Sequence, residues 1–257
     1  MRHLTAAEGT NMQLCDELER TVRTRELIQA LLADPRQLGP DYQPIHSLAD
    51  GALVGYKATG RGAPGTELAD TLSLLDGARS LGFVERIDWA FRALAVEDML
   101  KHPGVELHLT PEPETFASLC PPRFAGLMSR AARELSIAAE VHAEAFVEGV
   151  HLDVGIAEIR ERGWRVVLAD VADDDEALAR ARVVHPDVVQ VDLRLPGRCA
   201  ASEHRGVKRL LALARDCGAV TMALGVDSAA AHDTADELGA TLARGLEYGE
   251  PGPLPNG

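Results

Sequence analysis

The sequence predicts an α/β fold, a modified TIM (β/α) barrel, from three observations. Short apolar runs alternate with helical stretches through most of the chain, the order of a parallel sheet with helical crossovers. The alternation continues over 257 residues, long enough to bring the sheet round on itself. The first two runs, Tyr42 to Leu48 and Leu53 to Thr59, flank Ala49-Asp50-Gly51 and so form a leading β-hairpin, which requires one antiparallel strand.

Ahead of the hairpin, Leu14, Leu18, Val22, Leu27, Ile28 and Leu31 recur at helical spacing up to Asp34-Pro35, predicting an amphipathic helix over about Leu14 to Leu32. Residues 1–33 are read as a helical extension and 34–257 as the barrel domain. The extension is expected to pack against the barrel, with partner binding or dimerisation as the other reading. After the hairpin come helices at Glu67 to Leu81 and Val84 to Leu100, a strand at Val105 to Thr110, a helix near Arg123 to Arg133 and a strand at Ala138 to His142. A helix at Val154 to Glu161, a strand at Arg165 to Val171, a helix at Asp175 to Val184 and a strand at Val188 to Asp192 continue the series. A helix from Glu203 to Asp216, a strand from Ala219 to Val226, a helix from Ser228 to Leu238 and a strand from Ala240 to Gly245 complete it. Pro251, Pro253 and Pro255 make the tail a terminal loop.

Composition narrows the function. A hydrophobic content of 46% supports a sizeable core, and a formal net charge of -14 disfavours nucleic acid polymers and anionic membranes. No apolar run reaches the ~18 residues of a membrane span, and no signal-peptide pattern opens the chain, so a cytoplasmic location is expected. Cys15, Cys120, Cys199 and Cys217 form no CxxC pair, which argues against zinc and against a disulfide framework. There is no Gly-rich phosphate loop, no GxSxG and no nucleophilic triad.

In a barrel the chemistry belongs at the carboxyl ends of the strands. Those ends carry Lys57, His108, Glu140, Ala169 with Asp170, Gln190 with Asp192, Leu224 and Arg244. A pair of divalent cations needs several converging carboxylates or amides, which this rim does not supply.

At these residues the chain resembles the EAL domain family, metal-dependent phosphodiesterases that linearise cyclic di-GMP on a modified TIM barrel. Tyr42-Gln43-Pro44-Ile45 and Val54-Gly55-Tyr56, then Leu107 to Thr110, Gly163 to Asp170, Pro186 to Asp192 and Gly225 to Asp227, follow the family's order over about Asp34 to Pro253. The resemblance implies specific site positions. The glutamate that names the family, a metal ligand, is matched by Lys57, and the metal-binding asparagine of the third strand by His108. The next ligand is matched by Glu140. The paired aspartates correspond to Ala169 and Asp170, and the loop after them to Val171-Ala172-Asp173-Asp174. The catalytic lysine is matched by Gln190, with Asp192 in register two residues on. The later metal-binding glutamate is matched by Leu224, and a substrate-contacting glutamine by Arg244.

A cation at position 57 opposes a divalent ion, and Ala169 and Leu224 remove oxygen donors. The expectation is therefore a catalytically inactive regulatory module, acting through an unknown protein partner or a cyclic dinucleotide or other nucleotide bound without hydrolysis. The alternative is a weak or repurposed phosphodiesterase, and only under it are Mg2+ or Mn2+ cofactors. Glu140 and Asp170 are the residual metal positions, but an ion pair between Glu140 and Lys57 is the simpler arrangement. His108 with His142 is a weaker metal candidate, His142 being expected to point away from Glu140. Asp173-Asp174-Asp175-Glu176 lacks the EF-hand spacing and instead suits a helix N-terminus. Arg61 matches a phosphate-touching arginine; with Lys57 and Arg244 it would line a positive pocket, or Arg61 and Arg244 would pair with Glu140, Asp170 or Asp192. Because the loop after Asp170 differs, the family's dimer is not inherited, and monomer and homodimer both stay open.

Overall fold

The computed structural model describes residues 6–116, 118–142, 152–171, 175–194 and 205–255, with the backbone alone for 6–14. Its centre is a closed barrel with strands in sequence order. They are β1 (Gly39–Ser47), β2 (Leu53–Arg61), β3 (Glu106–Leu109), β4 (Ser136–His142), β5 (Arg165–Ala169), β6 (Val188–Asp192), β7 (Val220–Leu224) and β8 (Leu242–Arg244). β1 is antiparallel to both of its neighbours, and every other pairing is parallel. The predicted hairpin is present, with β1 beginning at Gly39 rather than Tyr42.

The surrounding helices are α1 (Ala6–Ala33), α2 (Thr71–Ser80), α3 (Val84–Met99), α4 (Pro122–Glu134), α5 (Leu152–Glu161), α6 (Asp175–Val184), α7 (Arg205–Cys217) and α8 (Ala229–Glu237). α2 starts later than the predicted Glu67, because Asp70 is extended (φ -85°, ψ 155°) and its side chain accepts a hydrogen bond from Ser73 N at 2.9 Å, which caps the helix there. α6 opens on Asp175 and Glu176, as acids at a helix start favour; the preceding Ala172, Asp173 and Asp174 lie outside the described residues, as do Cys199 and Glu203.

α1 departs from its predicted stripe. Ile28 and Leu31 are buried against Leu38, Leu68, Leu74, Ala78, Val84 and Ile87, and Leu27 is partly buried there, whereas Leu18 and Val22 are 58% and 53% exposed. The apolar wall formed by α2 and α3 accommodates only the last turns of the helix. Ile28→Val should therefore cost about 0.5–1.5 kcal/mol in urea denaturation, and Leu18→Ser close to nothing; equal losses would mean that the whole helix is docked.

Strand periodicity of two sorts the barrel's side chains. Ile45, Ala138, Val167, Val188, Met222, Leu224 and Leu242 pack together in the interior. Their strand neighbours, including Ala139, Val141, Val166, Leu168 and Val189, pack outward against Ile156, Ile159, Leu178, Ala181 and Leu213 of the helices. The same parity carries Lys57, His108, Glu140, Gln190 and Arg244 into the barrel. The parallel register sets Lys57 beside His108, and Leu224 beside both Asp192 and Arg244.

Candidate functional site

The carboxyl ends of the strands surround a cavity of about 350 Å³, within the range of small-molecule sites. Lys57, Thr110, Glu140, His142, Asp170, Gln190, Asp192, Leu224 and Arg244 line it at or just past the strand ends, and Leu72, Leu75, Phe91, Asp88, Arg92 and Glu112 line it from α2, α3 and the segment after β3.

Glu140 is the hub. It is 2% exposed, and its Oε2 accepts from Lys57 Nζ at 2.7 Å and from Thr110 Oγ1 at 3.3 Å. Its Oε1 meets His108 Nδ1 at 3.3 Å and lies 4.0 Å from Arg244. Lys57 also donates to Thr110 Oγ1. Below Glu140, the fully buried His108 bonds through Nε2 to Glu106 Oε2 at 3.0 Å, and Glu106 in turn accepts from Arg165 at 3.1 Å and Ser136 Oγ at 3.1 Å. A continuous line of alternating charge thus runs from Arg165 at the amino ends of the strands to Lys57 and Arg244 at the rim.

Burial works against charge on Glu140, yet the Lys57 ammonium, the His108 hydrogen bond and Arg244 hold its carboxyl well below the usual carboxylate range. Burial alone would lower the His108 imidazole, but its hydrogen bonds with Glu106 and Glu140 outweigh that and hold it above its ordinary value. Glu106 is held low in the same way, by His108 and Arg165 against its burial. Burial draws the Lys57 amine below the usual lysine range, with Glu140 opposing, and the 2.7 Å contact is that of an ammonium with a carboxylate.

The other sequence-predicted residues fall into separate pairs. Asp170 lies in the left-handed region (φ 52°), which aspartate tolerates better than most residues, and its Oδ2 meets His142 Nδ1 at 2.8 Å. This corrects the expectation that His142 points away from Glu140: residues two apart on a strand share a face, and both line the cavity. Asp192 is bound by Arg194 through Nε at 3.0 Å and NH2 at 2.9 Å. Arg61 pairs with Asp41 across the hairpin at 3.0 Å, not with Glu140, Asp170 or Asp192, and it is not among the residues lining the cavity. Gln190 is 5% exposed, lines the cavity, and its Nε2 has no hydrogen-bond partner among the described residues. Among the described residues no three His, Cys, Asp or Glu side chains stand together as a metal site.

Sequence reasoning missed Glu106, Ser136 and Arg165. The signal was available, since Glu106 lies two residues before His108 in an otherwise apolar strand and must share its inward face. The α2 and α3 side of the cavity was missed as well, including buried Asp88, whose carboxylate accepts from Arg92 and Thr115.

A parallel-stranded barrel with its polar cavity at the carboxyl strand ends is the architecture of ligand-binding and catalytic TIM-type barrels. Within that class the chain belongs to the EAL domain family, whose model matches residues 24–251. The Xanthomonas citri FimX EAL domain, solved in complex with c-diGMP, superposes with a TM-score of 0.75 at 19% identity, covering 94% of this chain and 98% of that one. The PaMucR phosphodiesterase in its c-di-GMP complex gives 0.70 at 20% identity, covering 84% and 97%. The Bacillus subtilis YkuI protein, with an EAL domain and in complex with substrate c-di-GMP and calcium, gives 0.70 at 16% identity, covering 89% of this chain and 58% of that one. No curated protein matches by sequence. No described helix is long and apolar enough to cross a membrane.

Proposed function

We propose that this chain is a non-catalytic EAL module of bacterial second-messenger signalling, cytoplasmic, that takes a cyclic dinucleotide or related nucleotide into the barrel-mouth cavity without hydrolysing it and acts on a protein partner. The observation that carries this reading is the position of the Lys57 ammonium, 2.7 Å from Glu140. Glu140 is the most buried carboxylate at the cavity, and both its oxygens are already engaged by Lys57, Thr110 and His108. A divalent cation would have to displace an ammonium already seated against its ligand, with Ala169 and Leu224 offering only hydrocarbon. Asp170, the other residual metal position, is turned to His142. These residues do not fit a pair of Mg2+ or Mn2+ ions, so no metal cofactor is assigned and no hydrolytic step is drawn.

The nucleotide part of the reading rests on family membership and on the c-di-GMP complexes of FimX and PaMucR. Calorimetric titration of cyclic di-GMP, alongside a turnover assay with Mg2+ and with Mn2+, tests it. Binding without turnover is expected. Turnover that disappears in Glu140→Ala would instead establish the alternative, a weak metal-dependent phosphodiesterase.

A further inference from the structure

Helix α1 has two apolar faces, and the barrel covers one of them. Ile28 and Leu31 are buried against α2 and α3, whereas Leu18, Val22 and the thiol of Cys15 are exposed on another side of the same helix. Leu18 and Val22, four residues apart, form one strip, and Cys15 precedes Leu18 by three. A groove of about 420 Å³ opens where α1 ends. Leu32 and Pro35 line it from the end of α1 and the turn after it, Ala90, Ala93 and Leu94 from α3, and Phe124 from α4. Alanines one turn apart on α3 let a further helix approach closely. The chain's own strip cannot fill this groove, because Leu18 precedes Leu32 by about 21 Å of helix at 1.5 Å per residue. The exposed charges of α1 are also sorted along its length: Asp16, Glu17 and Glu19 come first, then Arg20, Arg23 and Arg25, with Glu26 beyond them. A helix sorted in this way attracts a second copy of itself in the antiparallel sense and resists it in the parallel one.

We infer that two copies of this chain pair through α1 about a twofold axis, the two helices antiparallel, with Leu18 and Val22 of each copy seated in the groove of the other. Running antiparallel reverses the 21 Å offset: the strip of one copy arrives beside Leu32 and Pro35 of its partner, where the groove begins. The contact is isologous, so two strips fill two grooves and every interaction is made twice. The charges agree with this arrangement. Asp34 and Arg36 at the groove pair with each other at 2.7 Å, which leaves Arg123 and Glu97 as one charge of each sign to meet a helix of mixed charge. None of the groove residues lines the barrel-mouth cavity, so the pairing is independent of what that cavity takes up. Only α3 serves both, with Ala90 and Ala93 at the groove and Phe91 and Arg92 at the cavity.

Sedimentation of the intact chain over a concentration series tests the pairing. A monomer–dimer equilibrium is expected, and Leu18→Ser combined with Val22→Ser should weaken it about 10-fold or more, since buried apolar area is lost at two symmetric sites. The same double variant should leave the urea midpoint of the monomer nearly unchanged, both side chains being exposed there, which separates lost pairing from lost folding. Cross-linking in a Cys15→Ser background reads the position. Mixing a Leu18→Cys chain with a Leu94→Cys chain under copper-phenanthroline oxidation should give a disulfide-linked dimer. The Leu18→Cys chain alone should give none, because the antiparallel arrangement holds the two strips apart. A chain that stays monomeric at its highest soluble concentration would overturn the pairing and leave the groove to a different protein. A dimer indifferent to the α1 variants would overturn it as well, and so would a cross-link formed by Leu18→Cys alone, the mark of two strips packed directly on each other.

Discussion

Lys57→Met is expected to lower stability by about 3–5 kcal/mol, the cost of leaving one member of a buried ion pair without its partner. Lys57 and Glu140 are both almost wholly removed from water, and their contact is 2.7 Å. Methionine matches the length of the lysine stem but returns no charge, so among the described residues Glu140 keeps only His108, Thr110 and the distant Arg244. The loss should be visible as a reduced urea midpoint with an unchanged slope. Lys57→Met combined with Glu140→Leu should recover much of that loss, because a hydrocarbon pair of similar volume carries no desolvation penalty. If the double variant is as unstable as the sum of the single ones, the two residues do not act as a pair and the hub described for Glu140 is wrong.

A stability optimum on the acid side of neutrality is the second large effect. Glu140 and Glu106 are held below the ordinary glutamate value of 4.5, so their stabilisation is complete above it and declines as the pH falls through their folded-state values. His108 is held above the ordinary value of 6.5, so its stabilisation is complete below that value and is lost as the pH rises through the folded-state value. Together they place the maximum between about pH 4.5 and about pH 6.5. Denaturation midpoints across that interval and beyond should trace the curve, and His108→Asn should flatten its alkaline limb. An unchanged alkaline limb in that variant would show that His108 is neutral in the folded protein.

Much of the architecture could be read from the chain because each strand is short, apolar and followed by a helical stretch. Ala138 to His142 and Val188 to Asp192 sit within observed strands, and Val84 to Leu100 matches α3 almost to the residue. Boundaries set by local hydrogen bonds were harder. The Asp70 cap shortens α2, and nothing in the apolar spacing of Leu68, Leu74 and Ala78 announces it. The α1 stripe runs past the docked part of the helix, since periodicity gives a face but not the extent of the surface that covers it. At the site, the Lys57–Glu140 pair followed from charge alone, whereas Arg61 failed because its pairing depends on the hairpin register that brings Asp41 near it. That Gln190 Nε2 has no acceptor among the described residues could not be foreseen at all: whether a buried amide finds one is decided by neighbours from other strands.

The charged file through the barrel axis also constrains how this protein can change. A lone Lys57→Glu exchange would set two carboxylates face to face above an imidazole that already serves Glu106, with only Arg244 left to offset them. On the reading proposed above, a divalent-ion site would call for changes at 57, 169 and 224 together, because a carboxylate at 57 alone faces Glu140 without a cation between them. Position 57 at the rim is thereby tied through Glu140 and His108 to Glu106 and Arg165 at the opposite end of the barrel, so a change of charge at the mouth is felt along the whole axis.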